Sequence, residues 1–210
     1  MVRLATSSTW TALALAWAAS TLVACEAQPT PPPLRLPTIG MSSLSTAFAP
    51  SAAASLTLAD GTALSSWATE HGPFGVVFGY TGCPDVCPTT LAYLRRLDRA
   101  LLAEHQRSLP VVFVAVDPVH DDHTRLTPYL AHFSPRFVAA RGDVDDTHVF
   151  ARSLQADFVQ HDDGRVDHAI GMFVFGRALD GVALVPPRGD VTQAAGDLEL
   201  LLRAAEDGRS

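Results

Sequence analysis

The sequence predicts an α/β domain in which a central mixed sheet carries helices on both faces. Two apolar runs, residues 74–78 and 111–116, have the length and composition of strands buried on both sides. A helical pattern follows each run, which is the alternation of a parallel sheet with helical crossovers. The chain then ends in a hairpin and a last helix, and the hairpin adds antiparallel pairing to the sheet.

Taken in order, residues 56–58 read as a short strand before an Asp60-Gly61 turn, and residues 74–78 as the first buried strand. A loop from Gly79 to Cys87 follows. Pro88 stands where a helix can begin, since the missing N–H costs nothing in a first turn. Leu91, Leu94, Leu97 and Leu101 then repeat at helical spacing, predicting a helix over 88–105. Residues 111–116 are the next buried strand. Residues 123–133 read as a helix with Leu126, Tyr129, Leu130 and Phe133 on one side, 137–139 as a short strand, and 147–154 as a helix. Residues 170–175 and 182–185, joined through Asp180-Gly181, form the hairpin, and 191–205 the last amphipathic helix.

Composition narrows the function. The chain has 210 residues, 48% of them hydrophobic, enough for one packed domain. All fifteen basic residues are arginine and the net charge is −7. An acidic chain without a basic cluster is not built to neutralise phosphates, so nucleic acid is excluded as a partner. With no lysine, Schiff-base chemistry and a P-loop lysine are excluded too.

Residues 1–24 read as a secretory signal: Arg3 is the one charge before Glu26, and residues 10–24 are apolar or small. Leu22-Val23-Ala24-Cys25 resembles a bacterial lipobox, which makes Cys25 the lipidated N-terminus; the alternative is an uncleaved anchor with an incidental cysteine. Residues 25–54 hold Pro29, Pro31, Pro32, Pro33 and Pro37 and then a Ser/Ala-rich stretch, and read as a tether. Residues 55–210 are the domain. Both readings of Cys25 place it outside the cytoplasm on a membrane anchor.

With Cys25 assigned to lipid, Cys83 and Cys87 remain, between a buried strand and a helix N-terminus that favours thiolate. Thiolate both attacks disulfides and binds metal. A static disulfide is the plainer alternative, but so short a ring restrains few unfolded conformations. Three intervening residues, rather than the two of a thioredoxin-type pair, let both sulfurs face one soft ion such as Cu(I), for which a third ligand is expected. His168 precedes a strand and is the candidate, in competition with His161 across the Asp162-Asp163-Gly164 turn. His105, His132 and His148 read as surface residues on helices; His120 and His123 lie close enough in a loop for weak metal binding.

Tyr80-Thr-Gly-Cys83-Pro-Asp-Val-Cys87-Pro, then Val116-Asp117-Pro118-x-x-Asp121, Phe133-Ser134-Pro135, and Asp167-His168 before an apolar strand resemble the Sco/SenC proteins, in the same order. The resemblance runs from about Leu56 to the last helix. It implies a thioredoxin-like fold and a copper chaperone for cytochrome c oxidase assembly. The copper ligands it implies, for Cu(I), Cu(II) or both, are Cys83, Cys87 and His168. Asp117 is implied to orient the site without binding metal, its alternative role being a helix cap; independently of the resemblance, the neighbouring Asp167 is expected to fix the tautomer of His168 by a hydrogen bond. Gly82 stands where the family has a bulkier residue, His120 where it often has arginine, and the stretch before Asp167 is short. The implied partner is the copper-accepting subunit of the oxidase or another cuproprotein. A second function of a different class stands beside it: a thiol–disulfide oxidoreductase in which Cys83 attacks and Cys87 resolves, keeping the cysteines of a copper site reduced.

Overall fold

The computed structural model describes residues 42–43 and 46–208. The signal segment, Cys25 and the proline-rich tether lie outside the described residues. Among the described residues no helix is long and apolar enough to cross a membrane.

The main sheet has six strands: β1 (Ser42–Ser43), β2 (Phe74–Gly79), β3 (Val111–Ala115), β4 (Phe137–Ala140), β7 (Met172–Phe175) and β8 (Gly181–Val185). Its order is β1-β8-β7-β2-β3-β4. β2, β3 and β4 are parallel, with Val76 opposite Val112 and Val112 opposite Val138. β7 runs antiparallel to β2 and to β8, so the sheet is mixed as the sequence predicts. A separate hairpin pairs β5 (Val159–Gln160) with β6 (Val166–Asp167). The helices are α1 (Pro50–Ala53), α2 (Leu64–His71), α3 (Val86–His105), α4 (His123–Phe133), α5 (Val144–Ser153) and α6 (Val191–Glu206).

The alternation of side chains along each strand divides the core in two. Val77, Phe113 and Val174 face a cluster with Leu91, Leu94 and Leu97 of α3, Leu126 and Leu130 of α4, and Leu198 and Leu202 of α6. Phe74, Val76, Phe78, Val112 and Phe175 face the other cluster, with Phe48, Leu64, Trp67 and Phe150 of the α1, α2 and α5 side. Both faces of the central strands are therefore covered, which explains why these strands are apolar throughout rather than alternating. Beyond α3, Arg107 ties α3 to α6: its Nε donates to Glu199 at 2.6 Å and its two terminal nitrogens to Glu206 at 2.8 and 3.0 Å.

Several boundaries differ from expectation. α3 begins at Val86, before Pro88, because a proline is tolerated anywhere among the first N–H groups that lack intrahelical partners, not only at the first position. α5 begins at Val144 because the Asp143 carboxylate accepts from the Asp146 N–H and starts the helix one turn early. β7 begins at Met172, not residue 170: Gly171 sits at φ +136°, outside strand geometry, and a Cβ there would crowd the Val185 carbonyl oxygen at 3.2 Å. Residues 56–58 form no strand. Thr57 alone makes bridges, to Ala63 and to Arg141. α2 and the β5–β6 hairpin have no counterpart in the sequence pattern, since both are too short for their periodicity to register.

The folded unit also reaches into the stretch read as tether. Ser42 and Ser43 pair with Leu184 and Ala183 at the edge of the sheet. Phe48 is 3% exposed and meets Phe74, Phe150 and Phe175 edge-on, with ring centroids 5.4, 5.6 and 5.4 Å away. One aromatic in a Ser/Ala background carries no period, so the sequence pattern missed it. Phe48→Ala leaves a cavity among three rings and is expected to cost about 3–5 kcal/mol of stability, read as a lower urea midpoint with an unchanged slope. A midpoint equal to wild type would return residues 46–54 to the tether.

Candidate metal centre

The candidate residues gather at the carboxyl ends of β2 and β3, where loops open above a parallel sheet and ligand sites commonly form. The β2–α3 loop carries Cys83, and the first turn of α3 carries Cys87. Because β7 is antiparallel to β2, its leading segment passes beside the end of β2 and delivers His168. Cys83, Cys87 and His168 each present a ligand atom, and the three atoms lie within 4.8 Å of one another; among the described residues no other group of three or more such side chains does so. The two cysteines are unlinked.

The two sulfurs sit in different surroundings. Cys87 is buried, and burial pushes its thiol up to about 12, with the neighbouring Cys83 and the Asp121 charge adding to the rise. Cys83 is half-buried. Burial opposes its thiolate, but hydrogen bonds from Cys87 and from the backbone of Asp85 and Val86 outweigh it and bring the thiol below its ordinary value. The Cys87 N–H, in the first turn of α3, donates to Cys83 Sγ at 3.4 Å, the contact by which a helix N-terminus favours a thiolate. A groove of about 280 Å³ runs past Cys83, between the β2–α3 loop and the segment from Arg165 to Ile170, so Cys83 is the sulfur reached from solvent.

His168 Nε2 lies 3.5 Å from Cys87 Sγ. Its Nδ1 is 3.0 Å from the Ala169 carbonyl oxygen, which can only accept. Nδ1 therefore carries the proton, and the Nε2 lone pair faces the sulfurs. Burial lowers the basicity of this ring, keeping it neutral near pH 7. Tyr80 holds the neighbouring backbone, its hydroxyl accepting from the Val166 N–H at 3.4 Å, and its ring meets His168 edge-on at 6.2 Å.

Close packing behind the cysteines depends on Gly79. A Cβ at that position would lie 2.7 Å from the Phe113 ring and 3.0 Å from Cys87 Sγ, so a side chain there would force the ring aside and crowd the buried sulfur. Gly82 is different: a Cβ would meet only the Tyr80 ring, at 3.5 and 3.6 Å, so the loop has room for the larger residue common in the resembling family.

Other expectations change. Asp167 makes no hydrogen bond to His168. It accepts from His161 Nε2 at 2.8 Å and lies 3.7 Å from Arg165 Nε, because successive residues leave the β6 end on opposite sides. The tautomer of His168 is set by the Ala169 carbonyl instead, and Asp167 acts on that ring only through its charge. Asp117 accepts from His120 Nδ1 at 2.9 Å and hydrogen-bonds to none of the three gathered residues. Nor does it cap α4; Asp122 does, accepting from the Arg125 N–H at 2.9 Å. His161 and His120 are thus each committed to a carboxylate on their own loop. His148, expected to be solvated, stacks on Phe158 at 3.9 Å and donates to Asp157 at 2.6 Å. The residue missed is Asp121, buried below the Cys83 loop and bonded to Thr81. It stands in the Val-Asp-Pro-x-x-Asp motif, but nothing local tells that motif's second aspartate from a solvated one.

Residues 47–203 match the SCO1/SenC family model. An SCO2-like protein of Rickettsia conorii is 37% identical over 68 residues, 32% of this chain and 33% of its own length. The mitochondrial SCO2 homologue of Mus musculus is 32% identical over 103 residues, 46% of this chain and 40% of its own. These matches span well under two thirds of either relative. The structure of Bradyrhizobium japonicum ScoI with copper bound superposes with a TM-score of 0.59 at 29% identity, covering 70% of this chain and 96% of that one. Arabidopsis thaliana ScoI with copper bound gives 0.65 at 24% identity over 70% and 95%, and bears on the fold alone. The fold is the thioredoxin-like one that the sequence resemblance implies.

The asymmetry of the sulfurs makes a chemical prediction. In the reduced, metal-free protein at neutral pH, iodoacetamide is expected to alkylate Cys83 on the order of 100-fold faster than Cys87, since only thiolate reacts. In urea the two rates should converge. Peptide mass spectrometry over time reads both rates, and equal rates in the folded state would remove the asymmetry.

Proposed function

The chain belongs to the SCO1/SenC family, and we propose that it is a membrane-tethered, extracytoplasmic copper chaperone, holding copper through Cys83, Cys87 and His168 and passing it on for assembly of the copper site of cytochrome c oxidase. The observation that carries this reading is the convergence of two sulfurs and one imidazole nitrogen within 4.8 Å.

The donor set suits the cargo. Thiolates select soft ions, and a neutral imidazole adds a nitrogen donor that Cu(II) accepts as readily as Cu(I). The protonation states agree as well: the lone pair of His168 Nε2 already faces the sulfurs, and Cys83 releases its proton readily. Only Cys87 must give up a proton that burial holds, so metal uptake should release protons and strengthen as pH rises. Cys83 lies at the groove and Cys87 beneath it, so ligand exchange with an acceptor starts at Cys83, while Cys87 and His168 keep hold from below. The N-terminal segment with Cys25 supports the tether, since a lipidated or uncleaved anchor both leave the domain on the outer face of a membrane.

A second reading is favoured by the thiol asymmetry. A half-buried, groove-facing and readily ionised Cys83 over a buried, protonated Cys87 is the polarity of an attacking and a resolving cysteine. The Cys83 thiolate would attack a target disulfide and release one target sulfur as thiolate. Cys87, on deprotonation, would then displace the second target sulfur, leaving the target dithiol and a Cys83–Cys87 disulfide.

His168 separates the two readings. Reduced protein is expected to bind about one copper per chain and oxidised protein little, because a disulfide offers no thiolate. His168→Ala should weaken copper binding by about 10–100-fold or more, whereas His161→Ala, whose partner is Asp167, should change it little. Reduction of insulin disulfides should survive both substitutions. Competition titration and oxidase activity in cells carrying each variant check this. Full copper affinity and full oxidase support by His168→Ala, with both lost in Cys83→Ser, would move the conclusion to the oxidoreductase.

A further inference from the structure

Asp121 is 1% exposed, and both of its carboxylate oxygens are engaged by one residue 40 positions away in the chain. Oδ2 accepts from the Thr81 N–H at 2.7 Å, and Oδ1 accepts from the Thr81 hydroxyl. The hydroxyl in turn accepts from Arg125 Nε at 2.6 Å. Its single proton goes to Asp121 and its lone pair to Arg125, so the hydroxyl cannot turn without breaking a charge-assisted bond. The Asp121 N–H donates to the Asp117 carbonyl at 2.9 Å, and the Val116 N–H to the Gly79 carbonyl at 2.9 Å, so the carboxylate is anchored to the β3 side of the site.

From this we propose that Asp121 is a positioning residue of the metal centre: through Thr81 it holds the β2–α3 loop so that the Cys83 sulfur stands beside Cys87 and His168. The inference rests on the copper reading above and assigns a role to residues that hydrogen-bond to neither sulfur. Cys83 stands two positions after Thr81, and the one residue between them, Gly82, has no side chain to restrain it. Besides the Asp121 clamp, the Cys83 N–H donates to the Tyr80 carbonyl at 3.3 Å and the Cys83 sulfur accepts from the Cys87 N–H at 3.4 Å, and neither bond ties the loop to the β3 side. On its other side the loop meets the open groove, so Cys83 is packed only in part, against the cluster that holds Tyr80 and Cys87. Burying a carboxylate whose nearest cation, Arg125 at 3.8 Å, is itself largely exposed is costly unless the bonds it makes are needed. The bonds go to a loop residue that is held through both its backbone N–H and its side chain.

The test uses the full-length chain and the variants Thr81→Val, Thr81→Ser and Asp121→Asn. Valine keeps the shape of threonine and removes the hydroxyl; serine keeps the hydroxyl; asparagine keeps an acceptor for the Thr81 N–H but turns an amide toward the hydroxyl. Three readouts are taken: the Cys83–Cys87 dithiol–disulfide equilibrium against glutathione without metal, the affinity for added copper, and the visible sulfur-to-copper band after Cu(II) is added. Thr81→Val and Asp121→Asn should each weaken copper about 10–100-fold, the range for residues that orient ligands, and should shift both the band and the dithiol equilibrium. Thr81→Ser should follow wild type, and the thermal midpoint of Thr81→Val should stay close to wild type. Wild-type values for Thr81→Val in all three readouts would overturn the proposal. So would loss of the band with a collapsed thermal midpoint that serine does not restore, which would assign the pair to general stability. If Cys83→Ser leaves copper binding intact, the copper reading has failed instead, and the metal-free equilibrium still decides the positioning role.

Discussion

Antiparallel addition of β7 to a sheet whose other central strands are parallel brings the site together. Phe173 pairs with Val76 and Phe175 with Phe74, so the segment leading into β7 passes the carboxyl end of β2. That end is where the cysteine loop leaves the sheet. Had β7 been parallel to β2, its leading residues would lie at the opposite edge, a full strand length from the sulfurs. The meeting of His168 with Cys87, 81 residues apart in the chain, follows from this one pairing and from the apolar packing that holds both strands between two core layers.

Within the site, burial and the helix N-terminus act in opposite directions and act unequally on the two sulfurs. The N-terminal N–H groups of α3 reach Cys83 from outside the helix, whereas Cys87 belongs to the first turn and turns its side chain into the core. The same helix start therefore produces one accessible, ionisable sulfur and one buried, protonated sulfur. Such a pair suits stepwise ligand exchange and stepwise disulfide exchange equally well. Only the imidazole distinguishes them, since it adds a donor that metal needs and disulfide chemistry does not.

The space behind the sulfurs is as restricted as the front is open. Phe113 and Cys87 fill the gap where Gly79 lacks a side chain, so the buried sulfur has little freedom to retreat. On the open side the loop faces a groove, and hydrogen bonds add to the partial packing of Cys83 in ordering it. Hydrophobic contact is non-directional and orients a loop poorly, whereas a carboxylate receiving two bonds from one residue sets its orientation.

The amino-acid sequence by itself determined the fold class, the two central buried strands, the helices after them and the residue types of the candidate metal centre. Length, apolar continuity and helical spacing are local properties, and the cysteine pair and Asp-His motif are contiguous. It did not determine elements too short to show a period: the Ser42–Ser43 edge strand, α1, and the single aromatic, Phe48, that pulls the supposed tether into the core. Nor did it determine the partners of its aspartates. Asp117, Asp121, Asp122 and Asp167 are the same side chain within similar polar surroundings, yet one pairs with a histidine on its own loop, one is buried under the cysteine loop, one caps a helix and one pairs with His161. Which hydrogen bond a carboxylate makes depends on the donors that distant strands and loops bring within 3 Å, and those distances exist only once the chain has folded.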